Sequence, residues 1–437
     1  MRHLTGLIDN IVMNDFHDSW YYASRNQHAG FPILQGSLST DVCVVGGGIT
    51  GLSTALHLRQ KGYSVTLLES QNIGFGASGR SGGQILFGFG CEQPVIEQLI
   101  GQHNAQIVWQ AGLAGVELVK SLILEHRIDC DFQSGHAHAA TKPRLAKELL
   151  HWADQLRTTY YYDSLTLWDC QQMRQQVRSP RYCAGLYDSN SGHLHPLNYT
   201  LGLARAASEL GVQIYEQSAA LTIDHGNPAT VITAEGRVSA KFLVLAGNAY
   251  LNVKKLPQTR KIMPVGTYIA ATEPLGQEVA QKLIPQNIAV ADTNFVLDYF
   301  RLSQDHRLLF GGKVSYSAKA PRQLKATMQR QMLKVFPQLR NTAIDFVWGG
   351  NVAITANRAP HFGRLNPNIY FAQGYSGHGM AAAGLAGRLM ADAIDGDAST
   401  FDVFTRIPHR AFPGGTWLKT PALVLAMTWF RLKDLLP

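Results

Sequence analysis

Three glycines follow the first apolar run of the chain at a spacing that suits a phosphate-binding turn. The run Asp41–Val45 predicts a buried strand, and Gly46, Gly48 and Gly51 after it match the pattern GxGxxG. The apolar spacing of Leu52–Lys61 predicts a helix that begins at this loop. In such a unit the glycines allow a tight turn, close approach of a pyrophosphate, and close packing of helix on strand. The helix N-terminus adds N–H donors for phosphate oxygens.

An acidic residue ends the next predicted strand. Residues Ser64–Leu68 read as a strand, and Glu69 follows it directly. A carboxylate at this point of a βαβ unit accepts hydrogen bonds from ribose hydroxyls and argues against a 2′-phosphate, which disfavours NADP. The loop and its acid therefore predict an adenine dinucleotide and leave both NAD and FAD open.

Three further segments favour FAD. The small-residue loop Ile73–Ile85 (IGFGASGRSGGQI) would let the backbone pass close to a ribityl chain and ring. The segment Phe242–Tyr250 (FLVLAGNAY) ends a meander of a type common in flavoprotein domains. Near the C-terminus a predicted strand runs into glycines before a helix, so the N–H groups of Gly377–Met380 could face the flavin. A helix N-terminus there would stabilise the negative charge of reduced flavin.

The composition is that of an ordinary globular protein with more than one domain. The chain has 437 residues, of which 46% are apolar and 16% charged, and a net charge of +8. No dense run of Lys and Arg gathers this charge, so we expect no nucleic-acid partner. The five cysteines are scattered without a CxxC pair. This spacing predicts neither a disulfide framework nor a metal site.

The sequence also predicts where the protein works. No segment has the apolar core of a signal peptide or about 18 uninterrupted apolar residues, so we expect a cytoplasmic protein. The C-terminal segment PALVLAMTWFRLKDLL is apolar and then basic and could touch a membrane surface. A terminal helix docked on the body is the preferred interpretation.

The glycine loop, Gly76–Gln84 (GASGRSGGQ) and Gly374–Gly379 (GYSGHG) together resemble the D-amino-acid oxidase-like FAD oxidoreductases over nearly the whole chain. The resemblance implies an α/β fold (α+β in its two-domain arrangement): a glutathione-reductase-type FAD-binding Rossmann domain and an antiparallel-sheet substrate domain, with the flavin between them. The expected FAD-binding ranges are 36–95, 190–258 and 345–400. The expected substrate ranges are 96–189 and 259–344, and residues 1–35 and 401–437 are extensions.

Within that family, four segments are similar to the gamma-glutamylputrescine oxidase group: Met263–Leu275, Leu297–Gly312, Trp348–Leu365 and Phe412–Leu436. This similarity implies oxidation of an amine C–N bond by hydride transfer to flavin N5. The imine is then hydrolysed to an aldehyde and ammonia, and oxygen takes the electrons. The implied substrate is gamma-glutamylputrescine or a related polyamine derivative, which places the protein in polyamine catabolism.

Departures from the family pattern refine these expectations. The resemblance implies a turn at Trp348-Gly349-Gly350-Asn351, after which amino-acid-oxidising members place an arginine that grips the substrate carboxylate. Here the residue is Asn351, so we expect no carboxylate beside the oxidised carbon. The stretch Phe346–Gly363 contains no cysteine, which predicts non-covalent FAD. Leu309 stands near the position of the oxygen-activating lysine of sarcosine oxidases, with Lys313 close by, so an amine dehydrogenase with another electron acceptor stays open. The remaining alternatives are a sarcosine-oxidase-like enzyme for secondary amines or N-methyl amino acids, and a non-catalytic flavoprotein.

The predicted site residues form two sets. The substrate-side residues are His378, Tyr299, Arg301 and Asn351, and Trp348, Tyr375 and Tyr268 read either as a cage for an alkylamine chain or as core. The residues expected to bind FAD, from the motifs and the resemblance, are Gly46, Gly48, Ile49, Thr50, Gly51, Glu69, Ser70, Gly76, Ala77, Ser78, Arg80, Ser81, Gly82, Gly83, Gln84, Ala220, Ala246, Gly247, Arg358, Gly377, His378, Gly379 and Met380.

Overall fold

The computed structural model describes residues 14–251, 253, 256–294, 296–315 and 323–412. The predictions for the C-terminal segment from 413 to 437 lie outside these residues, as does the side chain of Lys313. The described chain forms two β-sheets with helices packed around them, which confirms the α/β fold class expected from the sequence.

The strands and helices have the following bounds. The strands are β1 Gly36–Val45, β2 Val65–Leu68, β3 Gln84–Ile85, β4 Gln133–Ala140, β5 Leu165–Trp168, β6 Ala184–His193, β7 Gln213–Tyr215, β8 Thr222–Asp224, β9 Ala229–Ile232, β10 Gly236–Leu245, β11 Ile262–Thr272, β12 Ala289–Asp292, β13 Tyr299–Leu302, β14 Leu308–Ser315, β15 Ile344–Thr355, β16 His361–Asn366 and β17 Ile369–Gln373. The α-helices are α1 Asn14–His17, α2 Trp20–Ala23, α3 Ile49–Gln60, α4 Gln93–Ile100, α5 Gln102–Glu125, α6 Pro143–Tyr160, α7 Cys170–Gln176, α8 Pro196–Glu209, α9 Gln277–Leu283, α10 Leu324–Val335, α11 Gly379–Ile394 and α12 Ser399–Thr405.

The first sheet is the Rossmann sheet. Its parallel strands lie in the order β7-β2-β1-β10-β17, β16 pairs antiparallel at the edge beside β17, and β8 and β9 extend antiparallel from β10. The run Val42–Val45 is buried throughout because both faces of a parallel sheet are covered. The sequence predicts two short strands in the range of β10. The structure has one continuous strand there, because buried Ala240 and exposed Lys241 keep the alternation of an extended strand.

The second sheet has the order β15-β11-β14-β13-β12-β4-β6-β3, with β5 paired to β6. Its pairs are antiparallel apart from β12, which runs parallel to β4. The strands β3 and β15 belong to this sheet although their residues fall in ranges expected for the FAD-binding domain. We therefore propose domain limits in which 84–85 and 344–355 are assigned to the substrate side.

The apolar pattern from Val95 to His126 predicts one long helix, but the structure has two helices there. Gly101 has a φ of +79° and lies between α4 and α5, so the first helix ends there and the second begins in a new direction. Helix α5 is long and apolar enough to cross a membrane by length and composition, but half of its apolar window is buried inside the protein. This burial is that of a core helix.

The loops after β1 and β10 meet at the carboxyl end of the Rossmann sheet. A Cβ atom on Gly46 would lie 2.8 Å from the carbonyl carbon of Ala246, so the loops after β1 and β10 are in contact. Helix α11 packs equally closely on α3, because a Cβ on Gly387 would lie 2.7 Å from Cβ of Ser53. These approaches bring the first glycine loop, the end of β10 and the start of α11 to one edge of the Rossmann sheet.

Candidate active site

The first glycine loop has the geometry that its spacing predicts. Gly46 has a φ of +119°, in the left-handed region, and its N–H donates to the Leu68 carbonyl at 2.8 Å. A Cβ on Gly51 would lie 1.9 Å from the carbonyl oxygen of Gly46, so no larger residue fits without movement of the backbone. Helix α3 begins at Ile49, which is followed by Thr50. Its N-cap residue is Gly48, which has no side chain that could cap the helix.

Glu69 lies against this loop. Its Oε2 accepts a hydrogen bond from the N–H of Gly47 at 2.7 Å, and its Oε1 accepts from the N–H of Gln71 at 2.8 Å and the hydroxyl of Ser70 at 3.1 Å. Burial raises the pKa of this carboxyl above its usual range, while the N–H donors oppose the shift. A carboxylate offers about four lone-pair sites, so Glu69 retains acceptor capacity for a ribose hydroxyl.

The segment that contains Ala220 runs beside Glu69. The N–H of Ser218, two residues earlier, donates to the Glu69 carbonyl at 2.8 Å. Glu69, which precedes β7 in the chain, and the segment of Ala220, which follows β7, are therefore neighbours in space. Ala246 and Gly247 close the same end, since the Ala246 N–H donates to the Val45 carbonyl at 2.8 Å.

The second glycine loop joins the two sheets. A short 3-10 turn at Ala77–Gly79, with Gly76 as its N-cap, directs Ser78 toward the start of α3, where the Ser78 hydroxyl accepts from the Ile49 N–H at 3.0 Å. Buried Arg80 donates from Nε to the Phe75 carbonyl at 2.7 Å and from Nη1 to the Gly349 carbonyl at 3.2 Å.

The end of this loop contacts the start of α11 and the second sheet. The Ser81 hydroxyl lies 3.2 Å from Sδ of Met380, and Nε2 of Gln84 donates to the Val290 carbonyl at 3.1 Å. Gly83 has a φ of +70°, and a Cβ on it would lie 2.1 Å from the Leu194 carbonyl oxygen. The loop thus lies where the Rossmann sheet, the substrate-side sheet and α11 meet.

The C-terminal glycine turn closes the site from the other side. Ser376 and Gly377 have φ values of +52° and +96°, and α11 begins at Gly379 after its N-cap residue His378. Arg358 lies in a separate turn with a φ of +62°. The two turns are close, because a Cβ on Gly90 would lie 2.7 Å from Cβ of Ser376 and 3.0 Å from the Arg358 carbonyl oxygen.

His378 stands at the N-terminus of α11. Its backbone N–H donates to the Tyr375 carbonyl at 3.0 Å, whereas its Nδ1 has no hydrogen-bond partner among the described residues. Burial, and then the positive charge of Arg358, lower the pKa of His378 to about 3. The imidazole is therefore neutral at ordinary pH.

Tyr299 and Arg301 both point from β13 toward the second glycine loop but differ in their surroundings. The ring of Tyr299 packs between two glycines. A Cβ on Gly82 would lie 2.6 Å from Cε2 of Tyr299, and a Cβ on Gly311 would lie 2.1 Å from Cζ of Tyr299. Arg301 is bound on every side: it donates to the carbonyls of Gly82, Leu302 and Leu194 at 2.8, 3.0 and 2.8 Å, and to the Tyr21 hydroxyl at 3.1 Å. These contacts favour the structural interpretation of Arg301 over a pocket-lining one.

Asn351 lies within a strand and not in a turn. Its N–H donates to the Tyr250 hydroxyl at 2.8 Å, and strand β15 continues to Thr355. Side chains alternate along a strand, and a Cβ on Gly350 would face Arg80 at 3.4 Å, so alternation directs the Asn351 side chain to the opposite face. The sequence pattern alone could not show this orientation.

The aromatic cage suggested by the sequence is not assembled. Trp348 donates from Nε1 to the Arg80 carbonyl at 3.0 Å, and the Tyr375 hydroxyl lies 2.7 Å from Oγ1 of Thr50. Tyr268 belongs to the core on the other face of the second sheet. The core interpretation therefore holds for these three rings.

Two residues of the substrate side were missed by the sequence reasoning. His136 and His138 alternate on β4, and their ring centroids lie 4.7 Å apart. Electrostatic interactions couple His378 to both rings, which places the turn before α11 near them. The signal was present as QSGHAHAA, in which histidines and alanines alternate, so that an extended strand puts the two histidines on one face and the alanines on the other. Among the described residues no group of three or more His, Cys, Asp or Glu is arranged to hold a metal ion.

Comparison with known proteins gives a consistent result. A sequence profile for the family described as DAO, FAD dependent oxidoreductase, matches residues 41–393. The chain is 43% identical to gamma-glutamylputrescine oxidoreductase of Escherichia coli K12 over 97% of this chain and 99% of that protein. It is 42% identical to the probable oxidoreductase OrdL of Haemophilus influenzae over 97% of this chain and 99% of that protein.

Solved structures show the same fold at lower identity. Glycine oxidase from Bacillus cereus matches with a TM-score of 0.68 and 20% identity, covering 85% of this chain and 99% of that one. L-amino acid deaminase from Proteus vulgaris matches with a TM-score of 0.70 and 20% identity, covering 86% and 97%. At these identities the likeness supports the fold alone.

Proposed function

This chain belongs to the FAD-dependent oxidoreductase (DAO) family, and from that premise we propose that it oxidises the C–N bond of an amine, with gamma-glutamylputrescine or a related polyamine derivative as substrate. The observation that carries the proposal is 43% identity to gamma-glutamylputrescine oxidoreductase along 97% of the chain, with 99% of that protein covered. Full-length similarity at this level includes both sheets, and therefore both the cofactor side and the substrate side.

FAD is the cofactor of this family, and the residues present fit it. The glycines of the first loop form a cradle, and Cβ atoms on these residues would fill it. For example, a Cβ on Gly48 would lie 2.8 Å from the Ser78 hydroxyl. Glu69 is placed beside this cradle with an N–H donor from Gly47. At the other end, Nδ1 of His378 has no partner within the described chain. We propose that the residues of the two glycine loops and the turn before α11 hold FAD without a covalent bond.

The bound flavin supplies the hydride acceptor for the carbon that carries the amine. The chain would supply position: the N–H groups at the start of α3 would bind phosphate oxygens, and Glu69 would accept from ribose hydroxyls. The N-terminus of α11 would favour negative charge on a ring held by the turn before it. Tyr299 packs against Gly82 of the second glycine loop. Such a site needs accurate placement of the reacting carbon more than an acid–base group.

We propose that the substrate has no carboxylate next to the oxidised carbon. The buried arginines Arg80, in the second glycine loop, and Arg301, on β13, both donate to backbone carbonyls, and Arg301 is surrounded by such acceptors. Asn351 cannot provide a bidentate cation, and its side chain is directed away from Arg80. An amine whose charged groups lie farther along the chain, as in a glutamylated diamine, suits this arrangement.

We propose oxygen as the electron acceptor, with another carrier as the alternative. Leu309 is buried in β14 and pairs with Ala271 and Arg301, so it supplies no cation for oxygen activation. Because Leu309 supplies no such cation, the alternative of a dehydrogenase with another carrier also retains support. We propose a cytoplasmic location and a role in polyamine catabolism on the same similarity.

The test is anaerobic mixing of the yellow holoenzyme with gamma-glutamylputrescine, putrescine, sarcosine or glycine, followed by admission of air. We expect the visible absorbance of the flavin to be bleached fastest by gamma-glutamylputrescine and to return in air with formation of peroxide. Bleaching that does not reverse in air would replace the oxidase by a dehydrogenase. Equal bleaching by sarcosine or glycine would contradict the proposed substrate class, and no bleaching by any amine would contradict the function.

A further inference from the structure

The segment 16–26 precedes the first strand and lies outside the residues that the family profile matches, which begin at residue 41. Two aromatic rings of this segment are nevertheless buried in the body of the protein, since Phe16 is 1% exposed and Tyr21 is 0% exposed. A large buried ring stabilises the groups on which it packs. The partners of these two rings therefore indicate what the segment does.

Phe16 packs on the second glycine loop. Its ring centroid lies 5.3 Å from that of Phe75. The guanidinium carbon of Arg80 lies 5.1 Å from the Phe16 centroid and 4.4 Å from the Phe75 centroid. Both distances are within the range in which an aromatic face attracts a cation. Because Arg80 is only 3% exposed, the two rings take part in stabilising a buried positive charge inside this loop.

Tyr21 packs on two side chains that hold the same loop. Its ring centroid lies 5.1 Å from that of Trp348, whose Nε1 donates to the Arg80 carbonyl at 3.0 Å. The Tyr21 hydroxyl accepts from Nη2 of Arg301 at 3.1 Å, and Nε of Arg301 donates to the Gly82 carbonyl at 2.8 Å. Two carbonyls of the loop are therefore bound by side chains that Tyr21 supports.

The end of the segment is attached to the start of α8. The Asn26 N–H donates to Oδ1 of Asn198 at 2.8 Å. From the same helix, the Thr200 hydroxyl donates to the Ser78 carbonyl of the second glycine loop at 3.2 Å. The segment, α8 and the loop therefore form one packed unit.

Resting on the proposed function, in which the second glycine loop binds FAD, we propose that residues 16–26 are an N-terminal clasp that positions this loop for the cofactor. Phe16 is a positioning residue, which acts through the guanidinium of Arg80. A loop that is already ordered does not lose conformational entropy when FAD binds, so the clasp raises the affinity for FAD. A segment outside the family profile thereby sets how firmly this chain retains its cofactor.

The test compares wild-type holoenzyme with Phe16→Leu, which keeps an apolar side chain but removes the ring. Each holoenzyme is diluted in steps, free FAD is separated by ultrafiltration, and its fluorescence gives the dissociation constant. We expect Phe16→Leu to bind FAD about tenfold more weakly, because the aromatic face that attracts the Arg80 guanidinium is lost. A dissociation constant within about twofold of the wild-type value would overturn the inference.

The matched control is Phe336→Leu. Phe336 is 0% exposed and packs on Phe300, with 4.9 Å between ring centroids, in the core cluster of the second sheet to which Phe16 does not belong. The same change there should lower the thermal midpoint and leave the affinity for FAD as in wild type. An equal loss of FAD affinity in Phe336→Leu would overturn the specific role of Phe16, since a general loss of stability would then explain both results.

A second comparison shows whether Phe16 acts through Arg80. In Arg80→Lys the positive charge is retained, but the planar guanidinium that stacks on the rings is lost. The double variant Phe16→Leu/Arg80→Lys should lose less FAD affinity than the product of the two single losses. Single losses that multiply in the double variant would overturn the action through Arg80.

If Phe16→Leu does not yield folded holoenzyme, Tyr21→Phe decides. This substitution keeps the ring and removes only the hydroxyl that accepts from Arg301. We expect FAD to bind about threefold more weakly, because one hydrogen bond that holds the loop is lost. An affinity equal to that of wild type would overturn the clasp.

The affinity for FAD is measured without an amine, so the clasp and the proposed function can fail separately. If gamma-glutamylputrescine bleaches the wild-type flavin and Phe16→Leu retains FAD as wild type does, the function stands and the clasp fails. If no amine bleaches the wild-type flavin but Phe16→Leu loses FAD as expected, the function fails and the clasp stands.

Discussion

The first sheet meets the site with backbone, whereas the second sheet meets it with side chains. Around Gly46 and Gly51 the loop leaves no room for a Cβ, and the groups it offers are N–H donors. On the opposite side the rings of His138 and Tyr299 stand in one row across neighbouring strands. A phosphate is recognised by fixed donors, whereas an amine on a hydrocarbon chain is recognised by acceptors and apolar surface.

The difference predicts opposite sensitivities for the two sides. The backbone side should fail when a side chain is added, because the added atoms collide with backbone that cannot move. The side-chain side should keep its fold but change its ligand affinity when a ring is removed. The substitutions below test the packing on which each side depends, beginning with the largest expected effect.

Gly51→Ala should abolish stable FAD binding. Its Cβ would lie 1.9 Å from the Gly46 carbonyl oxygen, so the turn or the helix must shift. We expect the ratio of FAD to purified protein to fall at least about tenfold, measured by absorbance after gel filtration. Gly384→Ala is the control, because a Cβ there meets its nearest atoms at 3.9 and 4.0 Å. FAD content in Gly51→Ala equal to that of the control would contradict the close packing of loop and helix.

Arg301→Met should lower the stability of the whole protein. The buried guanidinium joins the carbonyls of Gly82 and Leu194, on separate segments, to the Tyr21 hydroxyl. Its loss leaves buried acceptors unpaired at roughly 1–3 kcal/mol each, so we expect a loss of several kcal/mol. Thermal unfolding of the holoenzyme measures it.

The control for this substitution is Arg144→Met. Arg144 is exposed and pairs with Glu148 at 2.6 Å, so its loss should cost less than about 1 kcal/mol. Equal thermal midpoints for Arg301→Met and Arg144→Met would show that Arg301 does not stabilise the fold.

The protein should lose stability in acid. Burial holds the pKa of six histidines at about 3 or 4 in the folded chain, against 6.5 as the ordinary value: His138, His193, His195, His361, His378 and His409. The unfolded chain binds more protons between these values, so the stabilisation is full above 6.5 and is lost as pH falls toward 3.

Four carboxyls act in the other direction. The pKa of Asp292 is raised to about 7 and that of Asp298 to about 6, and the pKa values of Glu69 and Asp131 are also raised, chiefly by burial, so their contribution is lost as pH rises. Burial also lowers the pKa of His57 and His136, and since eight histidines oppose four carboxyls, we expect a lower thermal midpoint near pH 5 than near pH 7. A midpoint that is equal or higher near pH 5 would contradict neutral burial of these rings.

Thr50→Val should have the smallest effect of this series. It removes the 2.7 Å hydrogen bond between Thr50 Oγ1 and the Tyr375 hydroxyl, which joins α3 to the C-terminal turn. We expect a loss of about 1 kcal/mol with FAD content preserved. In the double variant with Tyr375→Phe the loss should be smaller than the sum of the single losses, and additive losses would show that the two hydroxyls are independent.

The Rossmann side could be read from the sequence because its information is contiguous. Gly46, Gly48 and Gly51 lie in six consecutive positions, and Glu69 follows the next strand. Each residue has a reason that depends only on local geometry, such as the positive φ of Gly46. The structure places these residues together as the spacing predicts.

The substrate side could not be assembled in the same way, because its residues meet only through strand pairing. His138 reaches Tyr299 by way of Ala291, across β4, β12 and β13, of which β4 lies far from the other two in the chain. The resemblance implies a turn at Asn351, yet pairing with β11 keeps this stretch extended. Gly101 likewise divides a helix whose apolar pattern continues across it.

The most direct test of amine oxidation is a single anaerobic turnover with gamma-glutamylputrescine in excess, in which ammonia is assayed against flavin reduced. The account predicts one equivalent of ammonia and one of aldehyde for each flavin bleached, because the imine is hydrolysed after one hydride transfer. Bleaching without release of ammonia, or no bleaching, would contradict it.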